Sequence, residues 1–579
     1  MPDFIPQSAT AEAEAALARI AAYDAVQPQV WIERLSPEAV MAQATTVERR
    51  VAAGEHLPLA GVTFAVKDNL DVASLPTTAG CPAFAYVPDR SATVVERLQA
   101  AGAVLMGKTN LDQFATGLVG VRSPHGAPGC VFNRDYVSGG SSSGSAVAVA
   151  AGLVGFALGT DTAGSGRVPA AFNNLVGFKP TKGRWSTRGL VPACRTLDCI
   201  SVFTARAADA LLVDETLAAF DAEDPYARRA EDRPQAPAAF RFGVAGPGQL
   251  NWLGDAASAK LHEAALKRLS ALGGTAVEVD ISPLREAADL LYQGPWAAER
   301  TAALDDLLTR NPAAIHPVVR AIVQGARGLS AADAFKGMYR LQALIRAAEA
   351  MWDDIDVLAL PTAPTAYRIA EVLAEPIALN SNLGLYTNFV NLMDLGAVSV
   401  PAGFRDNGTG FGLSLIGPAW ADRVLLDLAG RLEPTAPAAP PLDLGERTAG
   451  VELAVVGAHL HGMPLHWQLT SRNARLVRRA RTAPAYRLYA MTSSTPLKPA
   501  LAHVGEGGAA IELEIYELDL AAFGSFVTEV PPPLAIGTVS LEGGGEVKGF
   551  VAEPRAIDGA EDVTHFGGWR AYIASRQGP

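Results

Sequence analysis

Between Gly139 and Arg167 the chain reads GGSSSGSAVAVAAGLVGFALGTDTAGSGR, two glycine-flanked serine clusters separated by an alanine-rich apolar run. The run from Ser145 to Gly159 has the length of one buried helix plus a strand, so it can fold the two clusters back toward a single point. Gly139, Gly140, Gly144, Gly164 and Gly166 let the backbone approach a ligand and take φ values that other residues resist. Successive N–H groups in such turns form an anion-binding concavity, which a tetrahedral oxyanion needs. A lone lysine, Lys67, stands upstream in Val66-Lys67-Asp68-Asn69. Either serine cluster alone reads equally as a turn between core elements. The two together with Lys67 describe a serine nucleophile worked without histidine.

Two other chemistries fail on their own requirements. Gly140–Gly144 satisfies the G-x-S-x-G elbow formally, but that motif needs a strand–turn–helix context and a later histidine. The first 448 residues hold only His56, His125, His262 and His316, none in a recognisable triad context. A phosphate-binding loop needs a lysine followed by Ser or Thr at the end of its glycine turn, and none is present.

At 579 residues the chain exceeds one ordinary domain, and with 49% apolar and 19% charged residues it can build a large core. A net charge of −12 argues against nonspecific nucleic-acid binding. Cys81, Cys130, Cys194 and Cys199 are too few and scattered for a disulfide framework, and Cys194 and Cys199 lack zinc-site spacing, so all four read as reduced, mostly buried thiols. The N-terminus has no basic and apolar leader pattern, and no run of about 18 apolar residues occurs. The expectation is a cytoplasmic protein with no membrane partner.

Periodicity predicts helices over 11–25, 37–54, 92–101, 257–272 and 331–352, and strands over 62–66, 103–106, 241–245 and 355–360. The 62–106 segment reads as a βαβ unit and suggests a largely parallel sheet. Glu433–Pro441 is a semi-rigid linker by composition. Beyond it, valine, glycine, proline turns and alternation such as Ala510–Tyr516 predict a smaller α+β domain. The arginines at 472, 475, 478, 479 and 481 read as a solvated helix face or an intersubunit contact.

The two serine clusters and Lys67 together resemble the amidase-signature family, across about 400 residues. That resemblance implies an α/β fold with a mixed sheet core covered by helices, and a Ser–Ser–Lys triad that hydrolyses amides. By motif position Lys67 matches the base, Ser141 the bridging serine after a cis Gly140–Ser141 peptide, and Ser165 the nucleophile. The backbone N–H groups of Thr162, Ala163, Gly164 and Ser165 form the expected oxyanion hole, and Asp161 and Arg167 brace these loops. A lysine with its ordinary pKa of about 10.4 is no base at pH 7, but burial disfavours its charged form and lowers that value.

Three stretches, Asn110–Gly120, Val191–Cys199 and Leu385–Leu392, look like the allophanate hydrolase branch in particular, as does the C-terminal extension. The implied substrate is allophanate, a small urea-derived carboxylate, and no metal or organic cofactor is implied. The resemblance places a substrate-gripping Tyr292 and Arg300 in one segment, where helical spacing would set both within about 80° of one face. Arg300 is the candidate for the carboxylate; the alternative is a surface arginine paired with Glu299 or Glu286. The turn from Gly117 to Gly120 is expected to close over the substrate, and Tyr386, Asn388 and Asn391 are weaker candidates.

Val455–Leu460 and later turns look like a γ-glutamylcyclotransferase-like fold. In the allophanate hydrolase branch this domain is associated with decarboxylation of N-carboxycarbamate, with His459 as candidate participant; the alternative is an architectural dimerisation platform. The expected division is 1–432 catalytic, 433–448 linker and 449–579 C-terminal domain. A homodimer and functional pairing with a urea carboxylase are also implied. The competing amidases are an aryl-acylamidase and the catalytic subunit of a tRNA-dependent amidotransferase.

Overall fold

A computed structural model of the chain describes residues 4–231, 236–436, 438–440, 442–443, 450–472, 474–491 and 496–576. They form two compact units, a larger one before residue 444 and a smaller one from residue 450 onward that also takes in residues 24–29 and 124–126.

The larger unit is built on an 11-stranded sheet. In chain order its strands are β1 (Trp31–Arg34), β2 (Thr63–Lys67), β3 (Val104–Thr109), β4 (Phe156–Asp161), β5 (Val176–Lys179), β6 (Cys199–Thr204), β7 (Phe240–Ala245), β8 (Gly274–Val279), β9 (Val357–Pro361), β10 (Leu395–Phe404) and β11 (Gly410–Pro418). Across the sheet they run β1-β3-β2-β4-β6-β5-β10-β11-β9-β7-β8. The 62–106 segment is a βαβ unit: β2 and β3 are parallel, with helix α1 (Thr93–Ala100) between them. The expectation of a largely parallel sheet is corrected, because parallel pairing is confined to β3-β2-β4 and β9-β7-β8, while the run β4-β6-β5-β10-β11-β9 is antiparallel. A βαβ signal reports one local crossover and says nothing about hairpin partners further across the sheet.

Every residue of β2, β3, β4 and β9 is buried, as expected of strands covered on both faces. Along β9, Val357 and Ala359 join one apolar cluster and Leu358 and Leu360 the other, the period-2 signature of a sheet between two packed layers. The serine-rich run forms helix α2 (Ser143–Ala150) and then β4, and the small residues of α2 let it lie inside the fold. Gly144 is obligatory there, since a Cβ would strike Val30 O and Asn110 N. Part of the Pro-rich stretch lies outside the described residues; of the rest, Glu433–Thr435 is a 3-10 turn and the Asp443 amide donates to Val131 O at 2.7 Å.

In the smaller unit, β12 (Val451–Val455), β13 (Arg475–Arg481), β14 (Glu512–Leu518), β15 (Leu534–Ser540) and β16 (Glu546–Ala552) form a sheet in the order β13-β14-β12-β16-β15. A second sheet pairs Tyr486–Met491 with Lys498–His503 and Glu561–Asp562. The arginine run is not a helix face but edge strand β13 and the turn before it. Its charges meet carboxylates: Arg472 pairs with Glu529, Arg475 with Glu517, Arg478 with Glu452 and Arg479 with Glu514. No described helix is long and apolar enough to cross a membrane.

Candidate active site

Lys67 closes β2, and the neighbouring parallel strand β4 ends at Asp161, so both deliver residues to the carboxyl edge of the sheet, where open α/β sheets place ligands. The Lys67 side chain is fully buried. Its Nζ donates to Ser141 Oγ at 2.8 Å and to Thr160 Oγ1 at 2.8 Å, while Asn69 Nδ2 also reaches Thr160 Oγ1 at 3.2 Å. No carboxylate lies within ion-pair distance of Lys67 among the described residues. Burial pulls its pKa down to about 7, against the opposing pull of Asp112, Asp198 and Asp161.

The Gly140–Ser141 peptide is cis. Gly140 has no room for a Cβ, because the Asp112 carboxylate occupies that place. The structure thus joins Lys67 to Ser141. It does not join Ser141 to Ser165 by a hydrogen bond: the Ser165 hydroxyl, buried, donates instead to Gly117 O at 3.4 Å.

The loop after β4 is held by one carboxylate. Asp161 Oδ1 accepts from Gly164 N at 2.9 Å and Oδ2 from Gly166 N at 3.0 Å, and Arg167 grips the same two oxygens through Nη2 and Nε, each at 2.9 Å. The four-amide expectation is therefore corrected: the Gly164 N–H is already engaged. The amides of Thr162, Ala163 and Ser165 have no acceptor among the described residues. Gly164 itself stands at φ +138° with Thr387 where a Cβ would lie, so only glycine serves there.

Arg300 is 1% exposed, which disposes of the surface-arginine alternative. Glu299 bonds Thr196 instead, and Glu286 pairs with Arg340. The single-helix placement of Tyr292 and Arg300 is corrected as well. Tyr292 lies in α3 (Ser282–Gln293) and Arg300 in α4 (Trp296–Arg310), because Gly294 is extended and Pro295 starts a new helix. The two still meet, with the guanidinium carbon 5.3 Å from the tyrosine ring centroid. Arg300 Nη1 donates to Thr116 Oγ1 at 3.1 Å, while Nε and Nη2 have no partner among the described residues. Tyr292 and Asn388 also line a cavity of about 370 Å³.

Of the weaker candidates, Tyr386 spends its hydroxyl on the Asn251 backbone, and Asn391 Nδ2 ties Asp161 O (2.8 Å) to Leu197 O (3.0 Å). Asn388 Oδ1 is buried with no partner among the described residues.

Sequence reasoning missed the residues that shape these loops. Asp112 accepts from the amides of Val119 (3.2 Å), Gly120 (3.0 Å) and Arg122 (2.9 Å), fixing the Gly117–Gly120 turn. An Asp five residues before a glycine-bounded turn is a legible signal of such an anchor. Asp198 accepts from the Thr162 hydroxyl and from the amides of Ala193 (2.8 Å) and Cys194 (3.2 Å), and burial raises its pKa to about 6. Thr160 and Thr116 carry no sequence signal of their own. All four cysteines are buried and free, and no group of His, Cys, Asp or Glu among the described residues is arranged to hold a metal ion.

In the smaller unit, His459 follows β12 and lines a cavity of about 190 Å³ with Gln468, Lys498, Phe526, Glu529 and Phe550. Its Nε2 lies 2.7 Å from Gln468 Oε1 and its ring stacks on Phe550 at 5.0 Å. Burial lowers its pKa to about 4, so the ring is neutral at pH 7.

Residues 14–426 match the Amidase family, and over this extent the chain belongs to it. Residues 451–574 match a second family, the allophanate hydrolase C-terminal domain. Among individual proteins, the chain is 44% identical over 569 residues to the urea amidolyase of Saccharomyces cerevisiae, covering 94% of this chain and 31% of that one. It thus spans about a third of the length of this relative. A solved allophanate hydrolase from Kluyveromyces lactis is 43% identical, covers 99% of this chain and 97% of its own, and superposes with a TM-score of 0.71. A glutamyl-tRNA(Gln) amidotransferase chain of Thermosynechococcus vestitus is 37% identical over 463 residues, 74% of this chain and 95% of that one.

Proposed function

We propose that the protein hydrolyses allophanate (urea-1-carboxylate) to ammonia and N-carboxycarbamate. The observation that carries this reading is Arg300, a buried cation whose Nε/Nη2 edge is bare and whose partner Thr116 adjoins the Gly117 carbonyl that holds Ser165. Arg167 and Arg184 grip Asp161 and Asp214 with that same edge. A carboxylated substrate fills it; a neutral amide leaves it unpaired. The kinship with an allophanate hydrolase over both units supports the same substrate.

In this reading neutral Lys67 takes a proton through Ser141 as Ser165 Oγ attacks the terminal carbonyl, the Ser165 hydroxyl turning from Gly117 O toward Ser141. The amides of Thr162, Ala163 and Ser165 receive the oxyanion. The proton returns to nitrogen as ammonia leaves, and water, deprotonated by the same relay, releases the acyl group. N-carboxycarbamate then breaks down to carbon dioxide and a second ammonia. We assign residues 1–432 to this catalytic domain, 433–448 to the linker and 449–579 to the C-terminal domain.

His459, which lines a cavity with Lys498 and Glu529, supports a part for the smaller unit in the decarboxylation. Intact enzyme should then show no lag between first ammonia and carbon dioxide in stopped flow, and His459→Ala should introduce one; an architectural tail predicts that His459→Ala leaves the interval unchanged. A cytoplasmic homodimer fed by a urea carboxylase completes the proposal, since urea amidolyase relatives run well beyond the region matched here. Ammonia release from allophanate, urea, biuret, malonamate and a simple aryl amide tests the substrate directly: turnover confined to neutral amides defeats it.

A further inference from the structure

Among the described residues Thr116 makes no hydrogen bond to either relay serine or to Lys67, yet it is the hydrogen-bond partner of Arg300. It is 1% exposed, and its Oγ1 accepts from Arg300 Nη1 at 3.1 Å while donating to Phe114 O at 3.1 Å. A hydroxyl has one proton to give, so donation to Phe114 O turns a lone pair toward Arg300. Thr116 is itself held from the other side, because its carbonyl accepts from Arg122 Nη1 at 2.9 Å and Arg122 Nη2 reaches Pro376 O at 2.5 Å. Phe114 and Ala115 both stand at φ +52°, a conformation L residues adopt rarely, and this reversal brings Phe114 O back under the Thr116 hydroxyl.

The consequence lies in which edge of the guanidinium is used. Fixing Nη1 on Thr116 leaves Nε and Nη2, the pair that forks a carboxylate elsewhere in this molecule, as the edge without a partner. The next residue, Gly117, offers its carbonyl to Ser165 at 3.4 Å. Two adjacent residues therefore register the arginine against the serine hydroxyl.

We propose that Thr116 is a positioning residue for substrate selection: it aims the Nε/Nη2 fork of Arg300 and sets its distance from Ser165, which selects amides bearing a carboxylate over neutral isosteres. This rests on the reading of Arg300 as the carboxylate receptor.

The test uses the full-length enzyme with Thr116→Val, which keeps shape and removes the hydroxyl, and Thr116→Ser, which restores it. The probes are competitive inhibition by malonate, charged, and by biuret, the neutral isostere of allophanate. Thr116→Val should weaken malonate inhibition and raise the allophanate KM about tenfold, a change of about 1.4 kcal/mol, with kcat within about threefold. Biuret inhibition should stay within about twofold, and Thr116→Ser should restore wild-type ratios. Because each preparation carries its own neutral control, a partly unfolded sample does not mimic the result; Thr116→Ala replaces the valine variant if that does not fold. Equal loss of malonate and biuret, or unchanged malonate binding, overturns the proposal. Arg300→Lys separates the two failures. If it discriminates malonate from biuret and Thr116→Val does not, Thr116 alone is wrong; if neither does, the Arg300 reading falls too.

Discussion

Neighbouring strands β2 and β3 each bury a lysine completely, and the two are treated in opposite ways. Lys108 in β3 lies 2.8 Å from Asp68 and donates to Pro76 O and Thr77 Oγ1. Among the described residues, Lys67 in β2 donates only to hydroxyls. Val66 is the register partner of Lys108 and Thr109 that of Lys67, so the two side chains leave opposite faces of the sheet. The arginines repeat the contrast: Arg167 and Arg184 fork a buried carboxylate, whereas Arg300 is buried with its fork bare. Burying an unpaired cation costs several kcal/mol. In the reading proposed above, the ion-paired Lys108, Arg167 and Arg184 brace the scaffold, while Lys67 and Arg300 are held for a proton and a substrate charge.

The largest effect expected from this contrast is on turnover. Ser165→Ala and Lys67→Met should each lower kcat on allophanate by on the order of 10⁴–10⁶-fold, because members of one relay act as a unit and their losses do not add. Lys108→Met should leave kcat per folded molecule near wild type. Comparable losses from both lysines would erase the distinction.

Stability should run the other way. Lys108→Met strands Asp68 in the interior and should cost about 3–5 kcal/mol. Lys67 has a folded pKa near 7 against about 10.4 unfolded, so between these values the unfolded chain holds a proton that the folded one lacks, and stability rises with pH. Lys67→Met removes that penalty and should stabilise the protein at pH 8 by about 1–3 kcal/mol. Urea denaturation followed by tryptophan fluorescence, at pH 8 and again at pH 10.5 where the gain should vanish, reads both signs. A destabilised Lys67→Met at pH 8 would mean that the amine is compensated after all.

Among the arginines, Arg300→Lys keeps the charge and loses the planar fork. It should lower kcat/KM on allophanate by about 10- to 100-fold, with a smaller loss on any neutral amide cleaved. Equal losses on both would return Arg300 to the company of Arg167.

The distinction between the two kinds of cation was only half legible in the sequence. Lys67 stood out because it precedes two glycine-flanked serine clusters, and the lengths of the Ser143–Ala150 helix and the β4 strand followed from the alanine-rich run. Lys108 has the same local setting, the end of an apolar strand, and nothing local reports that Asp68 comes to meet it. Resemblance points to Arg300, yet the helical spacing that pairs it with Tyr292 runs straight through Gly294-Pro295, where the chain turns. A motif shows which amides cluster, not that the Gly164 amide already has an acceptor in Asp161. The largely parallel expectation fails similarly: an apolar run reports that a strand is buried, whereas its hairpin partner depends on chain tens of residues away.

The smallest effect sharpens what uncompensated means for Lys67. It has no ion-pair partner among the described residues, but Asp112 heads the charges that pull its pKa upward, acting at longer range through the field. Lys67 accepts a proton only when neutral, so kcat/KM on allophanate should fall as pH drops through about 7. Asp112→Asn withdraws a negative charge that favours the ammonium form; the pKa of Lys67 should therefore fall and the acid limb move to lower pH, by less than about one unit. The plateau should drop as well, because the amides of Val119, Gly120 and Arg122 lose a charged acceptor. Limb position and plateau height are separate readouts, so the structural damage does not hide the electrostatic shift. The double variant Lys108→Met/Asp68→Asn, which removes a cation on the opposite face together with its compensating carboxylate, supplies the control and should leave the limb in place. A limb that stays fixed in Asp112→Asn, or moves to higher pH, would show that a group other than Lys67 governs the acid side of the profile.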